Sequence, residues 1–268
     1  MNSNFFIPQA PAVRNIIHSI WEVERSVPFN KELIIPKGII EIIFNFSSSG
    51  NIPAEVNRTK YHLPRCFING FNTAPIILEL PAHQHFLGIR FQPLAVKKIF
   101  KVPACEFSDV PVDLTLLSSE FNAVWHHLAE QIGFDAKVAA FVDWIKKKFI
   151  DWDTREKLIN DFLCGPGQHN LSVGQLAAWV CYSPRQLSRK MREATGLPTE
   201  EILLYKKYLH SVDLIHHTDL DLTRVAYDAH FSDQSHFIKS FRQFAQMTPG
   251  EYKRNKSHLK GHLYEIVR

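Results

Sequence analysis

The spacing of hydrophobic positions changes about one third of the way along the chain. Between residues 33 and 91, short apolar runs rich in β-branched and aromatic residues alternate with turn residues. The longest run, residues 39–46, lies between the turn signals 36–38 and 47–51. Short strands at such spacing are typical of an antiparallel sandwich or barrel. The first part of the chain is therefore predicted to be rich in β-structure.

After Pro93 the apolar residues follow the 3.6-residue period of a helix. The predicted helix 136–149 places Val138, Phe141, Val142, Ile145 and Phe149 on one face. That face has two interpretations. It packs in the core of its own domain, or it forms the self-association seam that a dimeric regulator needs.

The last hundred residues contain one pattern twice. Residues 171–191 and 220–241 each predict a short amphipathic helix, a turn, and a second helix with basic and amide side chains. The copies align with an offset of 49 before the turn and 50 after it, so that Ala177 matches Ala226 and Arg189 matches Lys239. This is the helix-turn-helix pattern, whose second helix, here called the reading helix, enters the DNA major groove.

Capping residues support the predicted limits of these helices. Ser172 with Gln175 and Ser183 with Gln186 match the capping-box pattern, whereas the second copy offers Asp221 and then Ser232 or Asp233. Between the copies, residues 199–217 contain neither proline nor glycine. A helix of roughly 17 residues is about 25 Å long, which can hold two reading helices about one DNA turn, ~34 Å, apart.

The predicted fold class is α+β, with a β-barrel or jelly-roll-like N-terminal domain that includes helices. The C-terminal domain is all-α, with two helix-turn-helix motifs joined by a long helix. Residues 164–170 contain two glycines around a proline and are predicted to be the linker. The domains are then residues 1–163 and 171–256, followed by a C-terminal tail, residues 257–268.

Charge and cysteine content narrow the class of protein. From residue 165 onwards there are 14 Lys and Arg against 10 Asp and Glu, so this part carries the whole net charge of +4. That distribution fits a polyanionic partner. The four cysteines show no zinc-ligand spacing and indicate reduced thiols in a cytosolic protein. No signal peptide and no membrane span are predicted.

Three stretches carry a resemblance to a known family: residues 183–189 (SPRQLSR), 231–237 (FSDQSHF) and 247–252 (MTPGEY). Over residues 170–254 the chain resembles the AraC/XylS family of bacterial transcription regulators. The resemblance implies a cytoplasmic protein that binds double-stranded promoter DNA and needs no cofactor. It also implies that exposed side chains of both reading helices touch DNA. The matching positions are Arg185, Gln186, Ser188 and Arg189 in the first, and Gln234, Ser235, His236, Ile238 and Lys239 in the second.

Each of these positions also has a plainer interpretation. Arg bonds bidentately to guanine, Gln to adenine, and an apolar side chain contacts the thymine methyl group. However, Arg185 and Lys239 are also suited to anchoring phosphates, which receive most protein–DNA contacts. Gln186 could be used by its capping box, and His236 could pack at the turn.

The chain departs from the family at both turns, where glycine is common and Cys181 and His230 stand instead. A left-handed backbone there would cost a non-glycine residue roughly 1 kcal/mol. Either the turns adopt another conformation or the protein tolerates the strain. Cys181 also suggests a redox sensor, but neither a basic cluster nor a resolving cysteine accompanies it.

The N-terminal part resembles the β-rich sensing domains of the same family more loosely, through residues 36–44, Gly70 and residues 87–93. The resemblance implies a cupin-like barrel that binds a small-molecule effector and helps to form a homodimer. Contact with RNA polymerase is a further expectation. Aromatic residues could line the effector pocket or fill the core, as side chains do in small barrels. They are Trp21, Phe44, Phe46, Phe86 and Phe91.

Two alternatives to a regulator stay open. The first is a cupin-like metal-binding enzyme with a helical partner-docking domain, for which His62, Glu79, His83 and His85 are the available ligands. No third ligand stands out beside the pair His83 and His85, so no metal site is predicted. No catalytic motif of the nucleophile-elbow, phosphate-loop or dinucleotide type is present. The second alternative is a non-specific nucleoid-type DNA binder.

Overall fold

The computed structural model describes residues 2–26, 29–148, 152–165, 167 and 170–266 of the 268-residue chain. Within these ranges strands dominate the first 113 residues and helices the remainder. One strand near the C-terminus is the exception. None of the helices in the described ranges is long and apolar enough to cross a membrane.

Six antiparallel strands form the first sheet, and both of its faces are apolar. Ile20, Ile89 and Ile42 are neighbours on one face, whereas Trp21, Gly88 and Ile43 are neighbours on the other. Strands buried on both faces read as nearly continuous apolar runs, as residues 39–46 do. In spatial order the strands are β1 (Asn2–Phe6), β2 (Ile17–Ser26), β9 (His83–Phe91), β4 (Ile40–Asn45), β7 (Cys66–Asn69) and β10 (Val112–Asp113).

The second sheet has five antiparallel strands and faces the Trp21 side of the first. In spatial order they are β11 (His262–Ile266), β3 (Phe29–Ile34), β8 (Ile76–Glu79), β5 (Ile52–Val56) and β6 (Thr59–Leu63). The prediction of a β-rich domain is confirmed, but closure into a barrel is not. Among the described strands, the outermost members of one sheet do not pair with those of the other, so the domain is a two-sheet sandwich.

Helices cover the opposite face of the first sheet. They are α1 (Pro11–Arg14), α2 (Pro93–Phe100), a 3₁₀ helix (Ala104–Phe107), α3 (Leu114–Leu117), α4 (Glu120–Ala129), α5 (Phe134–Lys146) and α6 (Thr154–Cys164). Val138, Phe141 and Ile145 of α5 are buried, and the ring of Phe141 meets the edge of Phe44 at 6.0 Å. The apolar stripe therefore belongs to the core, as the first interpretation had it; Phe149 lies outside the described residues.

The C-terminal half is helical. Its helices are α7 (Val173–Trp179), α8 (Pro184–Thr195), α9 (Thr199–His217), α10 (Leu222–Asp228), α11 (Gln234–Ala245) and α12 (Pro249–Asn255). The helix predicted between the two copies is α9, with the predicted limits. Of the predicted linker 164–170, residues 166, 168 and 169 lie outside the described residues, so that boundary stays a prediction.

The two halves share one hydrophobic core, and both α8 and α9 contact the N-terminal half. The buried hydroxyls of Tyr205 and Tyr208 donate hydrogen bonds to the backbone carbonyls of Asn72 (2.9 Å) and Pro36 (3.2 Å). Gly38 has a φ of +67°, and a Cβ there would lie 2.7 Å from a side-chain carbon of Leu209. Glycine at this turn therefore lets α9 approach the sandwich closely.

The segment predicted to be a C-terminal tail contains a strand. β11 returns from the helical half to the N-terminal half and pairs antiparallel with β3, so that His262 lies opposite Ile34 and Leu263 opposite Leu33. The sequence pattern gave no sign of this partner because the two strands stand at opposite ends of the chain.

Candidate nucleic-acid interface and inter-sheet cavity

The two helix-turn-helix units are α7 with α8 and α10 with α11. The first helix of each unit buries the small residue that the alignment matched, Ala177 or Ala226. Each reading helix buries its matched apolar residues, Leu187 in α8 and Phe237 in α11. The repeated sequence pattern therefore produces the same internal packing twice.

Both turns have the same left-handed geometry at a non-glycine residue. Cys181 has a φ of +54° and His230 a φ of +62°. In each turn the next residue donates its N–H back to the matched alanine, from Tyr182 to the carbonyl of Ala177 and from Phe231 to that of Ala226, at 3.0 Å in both. This is a Schellman termination, whose left-handed position glycine usually takes. The protein therefore accepts the strain at both turns.

A cation holds the carbonyl of the strained residue in each turn. Arg155 of α6 donates to the carbonyl of Cys181 at 3.5 Å, and its guanidinium lies 5.0 Å from the ring centre of Tyr182. Lys207 of α9 donates to the carbonyl of His230 at 2.7 Å. The first turn is thus held from the N-terminal half, and the second from the helical half itself.

N-caps fix where each reading helix begins. Ser183 and Gln186 form a full capping box at the start of α8, and Asp233 accepts a hydrogen bond from the backbone N–H of His236 at the start of α11. The second turn is one residue longer, which explains why the alignment offset increases there from 49 to 50. Each cap satisfies a backbone N–H group that the first helical turn leaves without a partner.

The predicted DNA-contacting side chains lie mainly on the exposed faces of α8 and α11. The exposed ones are Arg185, Gln186 and Arg189 in the first, and Gln234, Ser235 and Lys239 in the second. Within the described residues, the guanidiniums of Arg185 and Arg189 and the ammonium of Lys239 form no hydrogen bond or ion pair. These cations are therefore available to an outside partner.

Four predicted residues are engaged or partly covered by the protein. The amide oxygen of Gln186 accepts hydrogen bonds from the backbone N–H and the hydroxyl of Ser183, as its capping role requires. The ring of His236 bonds to the hydroxyl of Ser232 (3.0 Å) and packs against Phe231. Ser188 is half-buried, and Ile238 is half-buried against the core.

The N-terminal half contacts the reading helices unequally. Glu193 of α8 pairs with Lys97 of α2 at 2.9 Å, and Lys190 approaches Glu156 of α6 at 3.6 Å. The carbonyl of Thr195, at the end of α8, accepts a hydrogen bond from Ser108. At the end of α11, the side-chain hydrogen bond to the N-terminal half that the described residues show joins Gln246 to Asn57 in the β5–β6 turn. The first reading helix is therefore bound more closely to the N-terminal half.

A cavity of about 700 Å³ lies between the two sheets and extends to α9 and to the end of α6. Trp21, Ile43 and Phe86 of the first sheet and Ile52 and Leu80 of the second line its apolar part. The indole of Trp21 lies directly over Gly88, where a Cβ would come within 2.1 Å of the ring. The predicted aromatic set therefore divides, because Trp21, Phe86 and Phe91 line the cavity whereas Phe44 and Phe46 do not.

Charged residues line the other part of this cavity. Glu41 accepts a hydrogen bond from the indole N–H of Trp21 (3.1 Å) and lies 3.5 Å from Arg90 and 3.8 Å from Lys37. Burial alone would raise the pKa of Glu41, but these two cations outweigh burial and hold the pKa below its usual value. Burial lowers the pKa of Lys37. Such residues were not identified from the sequence, although single charges within apolar strands were a usable signal.

The residues available as metal ligands under the enzyme alternative do not form a metal site. His85 binds Glu22 at 2.9 Å and His83 lies 3.8 Å from Glu24. Among the described residues, no group of three or more His, Cys, Asp or Glu side chains could hold a metal ion.

Two family models match the chain. One, described as a helix-turn-helix domain, matches residues 176–255 and so spans both units. The other, described as a domain of unknown function (DUF6597), matches residues 6–113, the strand-rich part. The transcriptional activator RhaS of Citrobacter koseri is 26% identical over 112 residues, which are 35% of this chain and 40% of RhaS. The helix-turn-helix match and the RhaS match support the resemblance of the C-terminal part to the AraC/XylS family.

Other relatives share one segment with this chain. An uncharacterized HTH-type transcriptional regulator of Staphylococcus aureus is 26% identical over 101 residues, 38% of this chain. The uncharacterized regulator YtdP of Bacillus subtilis is 24% identical over 127 residues, 42% of this chain. The chain spans only 14% and 16% of the length of these two relatives.

Solved structures show low overall superposition. ToxT from Vibrio cholerae O395 has a TM-score of 0.49 and 11% identity, over 94% of this chain and 97% of ToxT. The DNA-binding domain of AdpA, solved in complex with a target DNA, has a TM-score of 0.34 and 22% identity, over 38% of this chain and 92% of that domain.

The structure adds two exposed arginines to the candidate interface. Arg192 and Arg242 occupy matching places in the last turns of α8 and α11. Both are exposed, and they differ by the same offset of 50 that relates Arg189 to Lys239. The offset alone was therefore a sufficient signal to include them.

Proposed function

We propose that this protein is a sequence-specific DNA-binding transcription regulator that reads two adjacent major-groove segments with α8 and α11. The observation that carries the proposal is the pair of matched reading helices, each with unpaired cations on an exposed face. An α-helix with its side chains is about 10–12 Å wide, and the major groove of B-DNA is about 12 Å wide. One chain thus offers two such helices to one duplex.

The two reading helices should prefer different half-sites. Arg185 and Arg189 on α8 favour guanine or phosphate contacts, whereas α11 presents Gln234 and Lys239. The capping role of Gln186 and the packing of His236 leave these two with less freedom to read bases. Base recognition is therefore assigned first to Arg189 in α8 and to Gln234 in α11.

The N-terminal half is proposed to sense a small molecule in the inter-sheet cavity. Its mixed lining supports this role, because ligand pockets are mostly apolar with a few placed polar groups. The guanidinium of Arg90 lines the cavity, and its buried Nε has no hydrogen-bond partner. A homodimer, contact with RNA polymerase and a cytoplasmic location stay predictions of the family resemblance.

Binding of the full chain to a selected duplex and to random duplexes, at a series of salt concentrations, tests the DNA proposal. We expect the selected duplex to bind at least 10³-fold more tightly, with affinity falling steeply as salt rises. Equal affinity for all duplexes would instead identify a non-specific nucleoid-type binder. If affinity for every duplex is weak and does not change with salt concentration, DNA is rejected as the partner.

A further inference from the structure

Strand β11 joins the second helix-turn-helix unit to the inter-sheet cavity. It is an outermost strand of its sheet and pairs with β3, although His262 and its contact Glu32 stand 230 positions apart in the sequence. Because it is an edge strand, β11 can leave the sheet without breaking the pairing of any other strand. The rest of the sandwich would keep its order.

On the cavity side, the first residue of β11, His262, begins a series of polar contacts. The imidazole of His262 contacts Glu32 through Nδ1 (2.6 Å) and Lys37 through Nε2 (3.3 Å). A neutral ring satisfies both, because one nitrogen donates to the carboxylate while the other accepts from the ammonium. Burial and nearby Lys37 lower the pKa of His262, in keeping with a neutral ring. Lys37 in turn lies close to Glu41, which pairs with Arg90.

On its other side, the segment before β11 is fixed to α12 and α9, and α12 packs against α11 of the second unit, where the ring centres of Tyr252 and Phe241 lie 5.9 Å apart. The hydroxyl of Tyr252 in α12 accepts a hydrogen bond from the backbone N–H of Gly261 (3.0 Å). The ammonium of Lys256 donates to the carbonyls of Ile215 and His216 at the end of α9. Six residues, 256–261, separate α12 from β11. A movement of β11 would therefore be transmitted to α12.

The same segment forms part of the cavity wall, through Leu259, Lys260, Gly261 and His262. Release of β11 would remove this wall. A ligand that contacts the wall binds the docked form more tightly, and by linkage it stabilises docking to the same extent.

We propose that β11 is a strap: a ligand in the inter-sheet cavity and the docking of β11 on β3 stabilise each other. Occupancy of the cavity then sets how firmly the second helix-turn-helix unit is held to the N-terminal half. This inference rests on the proposed sensing role of the cavity. It adds β11 as the element that couples ligand binding in the cavity to the second helix-turn-helix unit.

The lining of the cavity selects a probe ligand. Trp21, Ile43 and Phe86 suit an aromatic or aliphatic body, and the guanidinium of Arg90 suits an anionic head group. 8-Anilinonaphthalene-1-sulfonate has both parts and reports its own binding by fluorescence. Arg90→Lys, which keeps the charge beside Glu41 but loses the planar fork, tests whether the probe occupies this site.

The first experiment measures amide hydrogen exchange of the full chain with and without saturating probe. We expect the probe to slow exchange at least five-fold in residues 262–266 and to slow it also in α12. Helix α4, which does not line the cavity, serves as the internal control and should not change. Unchanged exchange in β11 with the probe bound would overturn the proposal.

The second experiment loosens and then locks the strap. Leu263 packs against the main core and does not line the cavity, so Leu263→Asp weakens docking without altering the lining. We expect this variant to bind the probe at least five-fold more weakly. Lys31 and Glu265 are exposed register partners. When Leu263→Asp is combined with Lys31→Cys, Glu265→Cys and Cys181→Ser, a disulfide between positions 31 and 265 should restore probe affinity to within two-fold of wild type. Reduction of that disulfide should remove the gain.

The outcomes separate the two proposals. Equal probe affinity in the loosened and the locked protein would overturn the strap but leave the cavity as a ligand site. If the wild-type chain shows no saturable binding, or if Arg90→Lys leaves its affinity unchanged, the sensing role of the cavity fails, and the strap fails with it.

Discussion

The two helix-turn-helix units differ less in their construction than in what holds them. Both bury a small residue between their helices, both turn through a left-handed non-glycine residue, and both cap the reading helix with a side-chain oxygen. However, the first turn is held by Arg155 from the N-terminal half and the second by Lys207 from α9. The pose of α8 therefore depends on the N-terminal half, whereas the pose of α11 is set largely within the helical half.

The largest expected effect comes from the exposed cations at matching positions. Arg189→Ala should weaken specific DNA binding by about 1–3 kcal/mol and relax base preference in one half-site only, because a bidentate base contact is lost. Lys239→Ala is the matched variant and should act on the other half-site. Binding isotherms on specific and random duplexes check both; equal losses on the two duplexes would reduce each residue to a phosphate contact.

Overpacking tests whether the internal packing of the units is equivalent. Ala177→Leu and Ala226→Leu should each lower the free energy of unfolding by about 1–3 kcal/mol, because the helices meet closely at these buried positions. Denaturant titration measures the loss. An unchanged midpoint in either variant would contradict the alignment of the units.

Glycine at the turns should stabilise the protein. Cys181→Gly and His230→Gly should each raise the free energy of unfolding by about 0.5–1 kcal/mol, because relief of a left-handed strain of roughly 1–2 kcal/mol exceeds the entropic cost of glycine. Ala123→Gly, in the exposed interior of α4, is the control and should destabilise by about 0.5–1 kcal/mol. A loss of stability in both turn variants would show that the turns carry no strain.

The smallest effects should separate the two turns most cleanly. Lys207→Ala removes a 2.7 Å hydrogen bond and should cost about 1 kcal/mol, whereas Arg155→Ala removes a 3.5 Å contact and should cost about 0.5 kcal/mol. Site selection should show altered preference in only the second half-site for Lys207→Ala and only the first for Arg155→Ala. The same half-site responding to both would remove the difference between the units.

Local signals in the sequence were sufficient for the helical half. Ser183 with Gln186 and Asp233 mark helix starts by short-range hydrogen bonds, and the buried faces follow a helical period, so neither requires knowledge of distant contacts. The cavity could not be predicted in this way. Glu41 and Arg90 become neighbours only when β4 and β9 pair, and β11 finds β3 only through the full tertiary fold. For the same reason the sequence could not show whether the strands close into a barrel, since strand patterns do not specify which sheet edges meet.

The most direct test of the account is selection of bound sites from random duplex DNA by the full chain, repeated with Arg189→Ala and with Lys239→Ala. Two unequal reading helices on one chain should select one bipartite site whose two unlike halves lie about one helical turn, ~34 Å, apart. Each variant should lose preference in a different half. A single undivided site, or loss of preference in the same half with both variants, would contradict the claim that one chain reads DNA with two unequal helices.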